Sequence, residues 1–230
     1  MLFLKRNAPF VFIEVEKNRM KKQKSNAKKI MDILKNEYPD VKPALEYSTP
    51  FQLLVATILS AQCTDERVNI VTNELFKKLR NPSDFVSVGS SELEKYIFST
   101  GFYMQKAKNI KLSSALLIEK YGGSVPKEFE ELVKLPGVGR KTASVIAGNA
   151  FGIPAIAVDT HVIRLSNLLG FVQTKNAEKI EFALRKLLPQ NYWVASSHLL
   201  ATHGRRVCIA RRPKCLECAI LDYCPSFKNY

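Results

Sequence analysis

Residues 128–150 read EFEELVKLPGVGRKTASVIAGNA. Leu132 and Leu135 share one helical face, Pro136-Gly137-Val138-Gly139 interrupts it with a sharp turn, and a second helix begins near Arg140. The glycines free backbone N–H groups at a helix amino terminus, where the macrodipole is positive. Such an end binds phosphate without side chains. Arg140-Lys141-Thr142 ends like a P-loop, but Arg rather than Gly precedes the lysine, the glycine spacing differs, and a helix rather than a strand comes before the turn. Two helices hinged on a glycine turn therefore set the fold class, and the flanking sequence continues in the same period.

From Asn26, Ile30, Ile33, Leu34 and Tyr38 fall on one helical face, and Pro39 closes the segment. Thr49-Pro50 opens the next helix, since Thr caps and Pro fits the first turn. Its apolar face carries Phe51, Leu54, Val55, Ile58 and Leu59. Further helices are expected over 65–79, 90–98, 103–121, 126–135, 140–150, 159–169, 176–188 and 191–202, with Asn81-Pro82, Gly101, Gly122-Gly123, Gly152 with Pro154, Gly170 and Pro189 as breakers. Strand-like alternation is missing, so the chain reads as all-α.

The 230 residues carry 35 Lys and Arg against 21 Asp and Glu, a formal charge of +14. That exceeds the roughly 2–8 charges of an ordinary small domain and points to a polyanionic partner. No run reaches the roughly 18 apolar residues of a membrane span. The apolar patch Ala8–Val15 is short, contains Glu14 and lacks a small-residue cleavage site, so neither a signal peptide nor a membrane partner is expected. A cytoplasmic location is the resulting expectation, nucleoid-associated if the source is prokaryotic. Residues 1–25 form a basic arm, read either as a solvated, disordered tail or as a direct nucleic-acid contact.

Four of the five cysteines, Cys208, Cys215, Cys218 and Cys224, are spaced C-x6-C-x2-C-x5-C. Four thiols so close in a reducing compartment point to a metal rather than disulfides. Structural zinc usually takes two short ligand pairs, and only one C-x2-C is present. The single winding loop favours a [4Fe–4S] cluster, with zinc as the alternative. Between the first two cysteines, Arg211, Arg212 and Lys214 make a basic finger suited to phosphates, which metal–sulfur bonds at both ends would order.

Lys141 lies in the first turn of the helix after the glycine turn. The positive helix end and Arg140 favour a neutral, nucleophilic amine there, able to form a Schiff base; a plain phosphate-binding lysine is the alternative. The helix over 140–150 rises about 16 Å, and residues 153–158, if extended, span up to about 20 Å. Asp159 can thus return to the level of Lys141. A carboxylate there can stabilise positive charge at a sugar carbon and relay protons, besides capping the next helix.

Together these motifs resemble the endonuclease III family of DNA base-excision glycosylases. The resemblance rests on Leu59-Ser60-Ala61-Gln62, Leu135 through Ala143, Val158-Asp159-Thr160-His161-Val162 and the four-cysteine loop, in order over about residues 26–225. It implies a two-lobed helix-hairpin-helix DNA glycosylase fold: a six-helix barrel over 43–154, and an iron–sulfur cluster lobe assembled from 26–42 and 155–230. It implies a monomeric, bifunctional DNA glycosylase and AP lyase of base excision repair, acting on double-stranded DNA with damaged bases or abasic sites. Its damaged pyrimidine would be flipped out and removed through a Lys141 Schiff base supported by Asp159, with β-elimination nicking the strand. Gln62 would fill the gap, and Phe102, where the family carries Leu in a Gly-Leu-Tyr segment, would wedge the stack. Gly137, Val138, Gly139 and Arg140 would hold a DNA phosphate, with a monovalent cation at the turn. The adenine-mismatch branch, which lacks the lysine, and a non-catalytic iron–sulfur DNA-binding module are the alternatives.

Overall fold

The computed structural model describes residues 8–227, and no strand occurs among them. They divide into two compact units, one covering Lys42–Ala157 and the other joining the described residues before and after it.

In the Lys42–Ala157 unit, α2 (Pro50–Leu59) is nearly all buried. Thr49 accepts the Gln52 N–H, and Pro50 occupies the first turn. Around α2 lie α3 (Asp65–Lys78), α6 (Tyr103–Tyr121) and α8 (Arg140–Phe151). Leu53, Leu54 and Leu59 are fully buried in this core, each contributing on the order of 2 kcal/mol. The Asn81-Pro82 pair breaks the helical run after α3, as expected, and also starts a short helix not foreseen, α4 (Pro82–Ser87). Asn81 and Asp84 form a reciprocal capping box, so the same dipeptide that ends one helix begins another. Phe85 of α4 packs edge-on against Phe51, with ring centroids 5.4 Å apart. Lys111 of α6 donates to the carbonyls of Phe85, Val86 and Val88 at the end of α4. The unit also contains α5 (Ser90–Ile97) and α7 (Phe129–Leu132). The expected helix over 126–135 is only this single turn, because Leu132–Leu135 already tightens toward the glycines.

In the other unit, α1 (Ala8–Glu37) begins well before Asn26, so the basic residues from Ala8 onward are helical rather than an unstructured tail; residues 1–7 of the arm lie outside the described residues. It packs with α10 (Ala177–Leu187) and α11 (Trp193–Arg206), and α11 packs on α9 (Thr160–Leu168). Gly204 makes the last contact possible: a Cβ there would come within 2.9 Å of His161 Nδ1. The Tyr38 hydroxyl meets His203 Nδ1 at 2.9 Å. Beyond α11 the described chain has only two one-turn 3-10 helices, Cys215–Glu217 and Leu221–Tyr223, and Ile220 is its one buried residue. Among the described residues, no helix is long and apolar enough to cross a membrane.

Candidate active site

The 136–139 turn is held from below. Leu135 and Val138 bury their side chains, and the Val138 N–H donates to Leu135 O at 3.0 Å. Val138 therefore shapes the turn; its amide is already engaged. Ser113 Oγ of α6 donates to Pro136 O at 2.7 Å. Gly137 has φ +81°, and a Cβ would meet the Asn109 side chain at 2.9 Å, so both backbone conformation and space call for glycine. Gly139 is the N-cap of α8 and supplies no side-chain cap. Gly137, Gly139, Arg140 and Lys141 are all exposed. The first-turn amides of Lys141 and Thr142 have no intrahelical acceptor, as at any helix start. The Arg140 guanidinium lies over the Phe129 ring, 5.1 Å from its centroid.

Asp159 begins α9 in the other unit. Its Oδ1 accepts the Val162 N–H at 2.8 Å, which satisfies one first-turn donor and fixes the carboxylate's orientation. His198 of α11 feels the same carboxylate: burial and Arg205 push its pKa down, and Asp159 opposes them.

Gln62 and Phe102 are both exposed and both left-handed, at φ 54° and 47°, the two non-glycine residues with positive φ among those described. Each sits on a short loop of the Lys42–Ala157 unit, after α2 and before α6 respectively.

The four cysteines are half-buried and line a single pocket with His203, Leu165, Leu169 and Ile220. Among the described residues, no three His, Cys, Asp or Glu side chains group so as to hold one metal ion. Burial pushes the Cys208 and Cys218 thiols up. His203 Nε2 lies 3.4 Å from Cys218 Sγ, and burial, with Arg164 adding to it, pushes His203 down to about 4. The basic finger closes at its base, where Ile209 and Lys214 donate their N–H groups to Val207 O at 2.9 and 3.0 Å. Arg211, Arg212 and Lys214 are exposed on it, with Glu217 Oε2 3.7 Å from Lys214 Nζ.

Sequence reasoning did not single out Arg164, Asn109, Ser113 or Lys106. Arg164 donates to the Cys208 carbonyl and to Gly204 O at 3.1 Å, joining α9 to the cysteine segment. Its place in Asp159-Thr160-His161-Val162-Ile163-Arg164 puts it one turn beyond His161, the signal that it shares that residue's face. The other three lie on α6, whose sequence has no motif.

A family model described as HhH-GPD superfamily base excision DNA repair protein matches residues 55–190. Endonuclease III of Synechocystis sp. is 48% identical over 209 residues, spanning 90% of this chain and 95% of its own. The Bacillus subtilis endonuclease III is 47% identical over 84% of this chain and 89% of its own. For that of Escherichia coli the figures are 41%, 87% and 95%. A solved non-covalent endonuclease III–DNA complex aligns at a TM-score of 0.86 and 45% identity, covering 90% of this chain and 97% of that one. A trapped endonuclease III–DNA covalent intermediate aligns at 0.85 with the same identity and coverage. The chain belongs to the endonuclease III family, within the HhH-GPD superfamily of base excision DNA repair proteins.

Proposed function

We propose that the chain is a DNA glycosylase and AP lyase of base excision repair that removes damaged pyrimidines through Lys141. The observation that carries this reading is the position of Lys141: exposed, in the first turn of α8, two residues after the Gly139 N-cap. The exposed turn and the first amides of α8 receive a DNA phosphate, with a monovalent cation at the turn, and this sets the sugar beside the amine. The target base is flipped out, because its glycosidic carbon is shielded within the stack. Lys141 Nζ forms a bond to C1′ as the bond from C1′ to the base breaks, and the base leaves with that electron pair. Proton loss from nitrogen and opening of the sugar ring give an imine. Removal of a 2′ proton then expels the 3′ phosphate, which nicks the strand. Asp159, its carboxylate oriented by the Val162 N–H, balances positive charge on the sugar and takes the proton from the attacking amine. Gln62 and Phe102 occupy the space the nucleotide leaves.

Arg211, Arg212 and Lys214 take backbone phosphates. The cysteine pocket fits a [4Fe–4S] cluster: four soft thiols line one pocket, and such a cube takes one thiolate on each iron. When bound there, the cluster supplies structural order to the finger. With no described helix able to cross a membrane, this reading places the protein's work in the cytoplasm, at the nucleoid if the source is prokaryotic.

The decisive experiment is borohydride trapping on a duplex with an abasic site. Wild-type protein is expected to form the covalent adduct. Lys141→Gln should bind the same duplex but lose both adduct and excision. Adduct formation by Lys141→Gln at the wild-type rate, or none by the wild type, would overturn the reading.

A further inference from the structure

Lys106 is a lysine with 4% exposure, set in the first turn of α6. A buried ammonium is costly unless its protons are taken up. Nζ donates to Leu59 O at 2.7 Å and to Thr100 O at 2.8 Å. These two carbonyls belong to different elements. Leu59 is the last residue of α2, and Thr100 ends the 3-10 turn Phe98–Thr100. Each is the carbonyl-rich, partially negative end of a helix, and one cation serves both.

The loop after each carbonyl is short and internally bonded. Gln62 lies three residues beyond Leu59, on a loop closed by the Cys63 N–H to Ser60 O at 3.1 Å. Phe102 lies two residues beyond Thr100, after the Gly101 N–H to Phe98 O at 3.3 Å. The Lys106 N–H itself donates to Phe102 O at 3.0 Å. Both loop tips carry left-handed non-glycine residues, each costing on the order of 1 kcal/mol that the surroundings must sustain. Loops this short pass a displacement at their root on to the tip.

We propose that Lys106 is a positioning residue for base extrusion: its ammonium ties Leu59 O to Thr100 O and so sets the spacing between Gln62 and Phe102. This rests on the reading of those two side chains as the groups that fill the vacated stack. Burial pushes the Lys106 pKa down while the nearby Cys63 opposes it; the strut itself consists of the two hydrogen bonds to carbonyls. At 4% exposure, with Nζ engaged by two carbonyls, Lys106 offers a bound duplex almost no surface. It acts only where a paired base must be opened.

The test compares two rates in the full-length, cluster-loaded protein: excision of a damaged pyrimidine from a duplex, and nicking at a preformed abasic site, with 2-aminopurine opposite the lesion to report unstacking. Lys106→Met keeps the stem and removes the donors. Excision should fall about tenfold with a smaller fluorescence rise, while nicking stays within about threefold, because only the first must unstack a pair. Lys106→Arg, which keeps charge and donors, should recover most of the excision rate. If Lys106→Met does not fold, Lys106→Gln, an uncharged donor too short to bridge both carbonyls, replaces it with the same expectation. Gln62→Ala and Phe102→Ala run alongside. If these two lose excision selectively while the folded Lys106 variant loses neither activity, or both equally, the strut is overturned and the extrusion reading stands. If the two alanine variants lack the selective loss, the extrusion reading falls and the strut with it.

Discussion

The 136–139 turn and the cysteine segment 208–224 each present cations beside a helix end, yet they are held by different means. The turn is clamped by a helical core: Leu135 and Val138 are buried, Ser113 bonds Pro136 O, and Asn109 fills the space beneath Gly137. The cysteine segment has Ile220 as its one buried residue, and its backbone bonds are local turns. Arg164 reaches it from α9, and Leu165 and Leu169 of the helical part line its pocket, but the segment itself contributes little to that interior besides Ile220. A loop over a packed helix can be specified by glycine and a few hydrogen bonds. A loop without a core of its own needs ligands, and four thiols in one pocket are the means available.

That contrast can be broken or sharpened by mutation, beginning with the largest effect. Asp159→Asn keeps a helix cap about as good as Asp, so folding and lesion binding should persist while single-turnover excision falls by orders of magnitude. An Asp that acts as a cap alone would lose little. Next, Cys208→Ser should deplete folded protein and leave the isolated material well short of about four irons per chain. An unchanged yield with no iron would show that the segment orders itself, and the contrast would collapse. Gly137→Ala should be milder. The side chain must accept a left-handed φ and displace Asn109, at about 1–2 kcal/mol. Thermal melting reads the loss, and binding to damaged and undamaged duplex should weaken together. A full wild-type melting temperature would remove the argument for a clamped turn. The smallest effect belongs to Arg211→Ala on the finger. Affinity should drop a few-fold for any duplex, and the slope of log affinity against log salt should lessen by about one. A change in lesion preference at constant affinity would instead make Arg211 a base contact.

The order of these effects reflects how each site is built. Asp159 caps α9, and on the proposed reading the same carboxylate also serves the chemistry, so Asn separates the two. On the same reading the cysteines serve to order their segment, and the finger supplies charge for phosphates.

Much of the molecule was legible along the chain because its signals are local. Thr49-Pro50 and Asp159 cap the helices next to them, within three residues. The 3.6-residue period placed α2, α3, α6 and α8 nearly to the residue, and the glycine turn located Lys141 at a helix start. Cysteine spacing defined four residues that do share one pocket. Asn81-Pro82 does break the helical run, as its sequence says, and the short helix α4 that it also caps was the part not read. Tertiary structure alone decided the rest. Lys106 looks like any lysine on a helix until 47 residues of separation close and Leu59 O lies against its ammonium. Ser113 meets Pro136 across 23 residues, and Arg164 meets Cys208 across 44. Such contacts leave no periodicity and no cap signature, because their partners are chosen by packing. A buried cation, a glycine with an asparagine beneath it and a guanidinium on a distant carbonyl exist only once the helices have assembled.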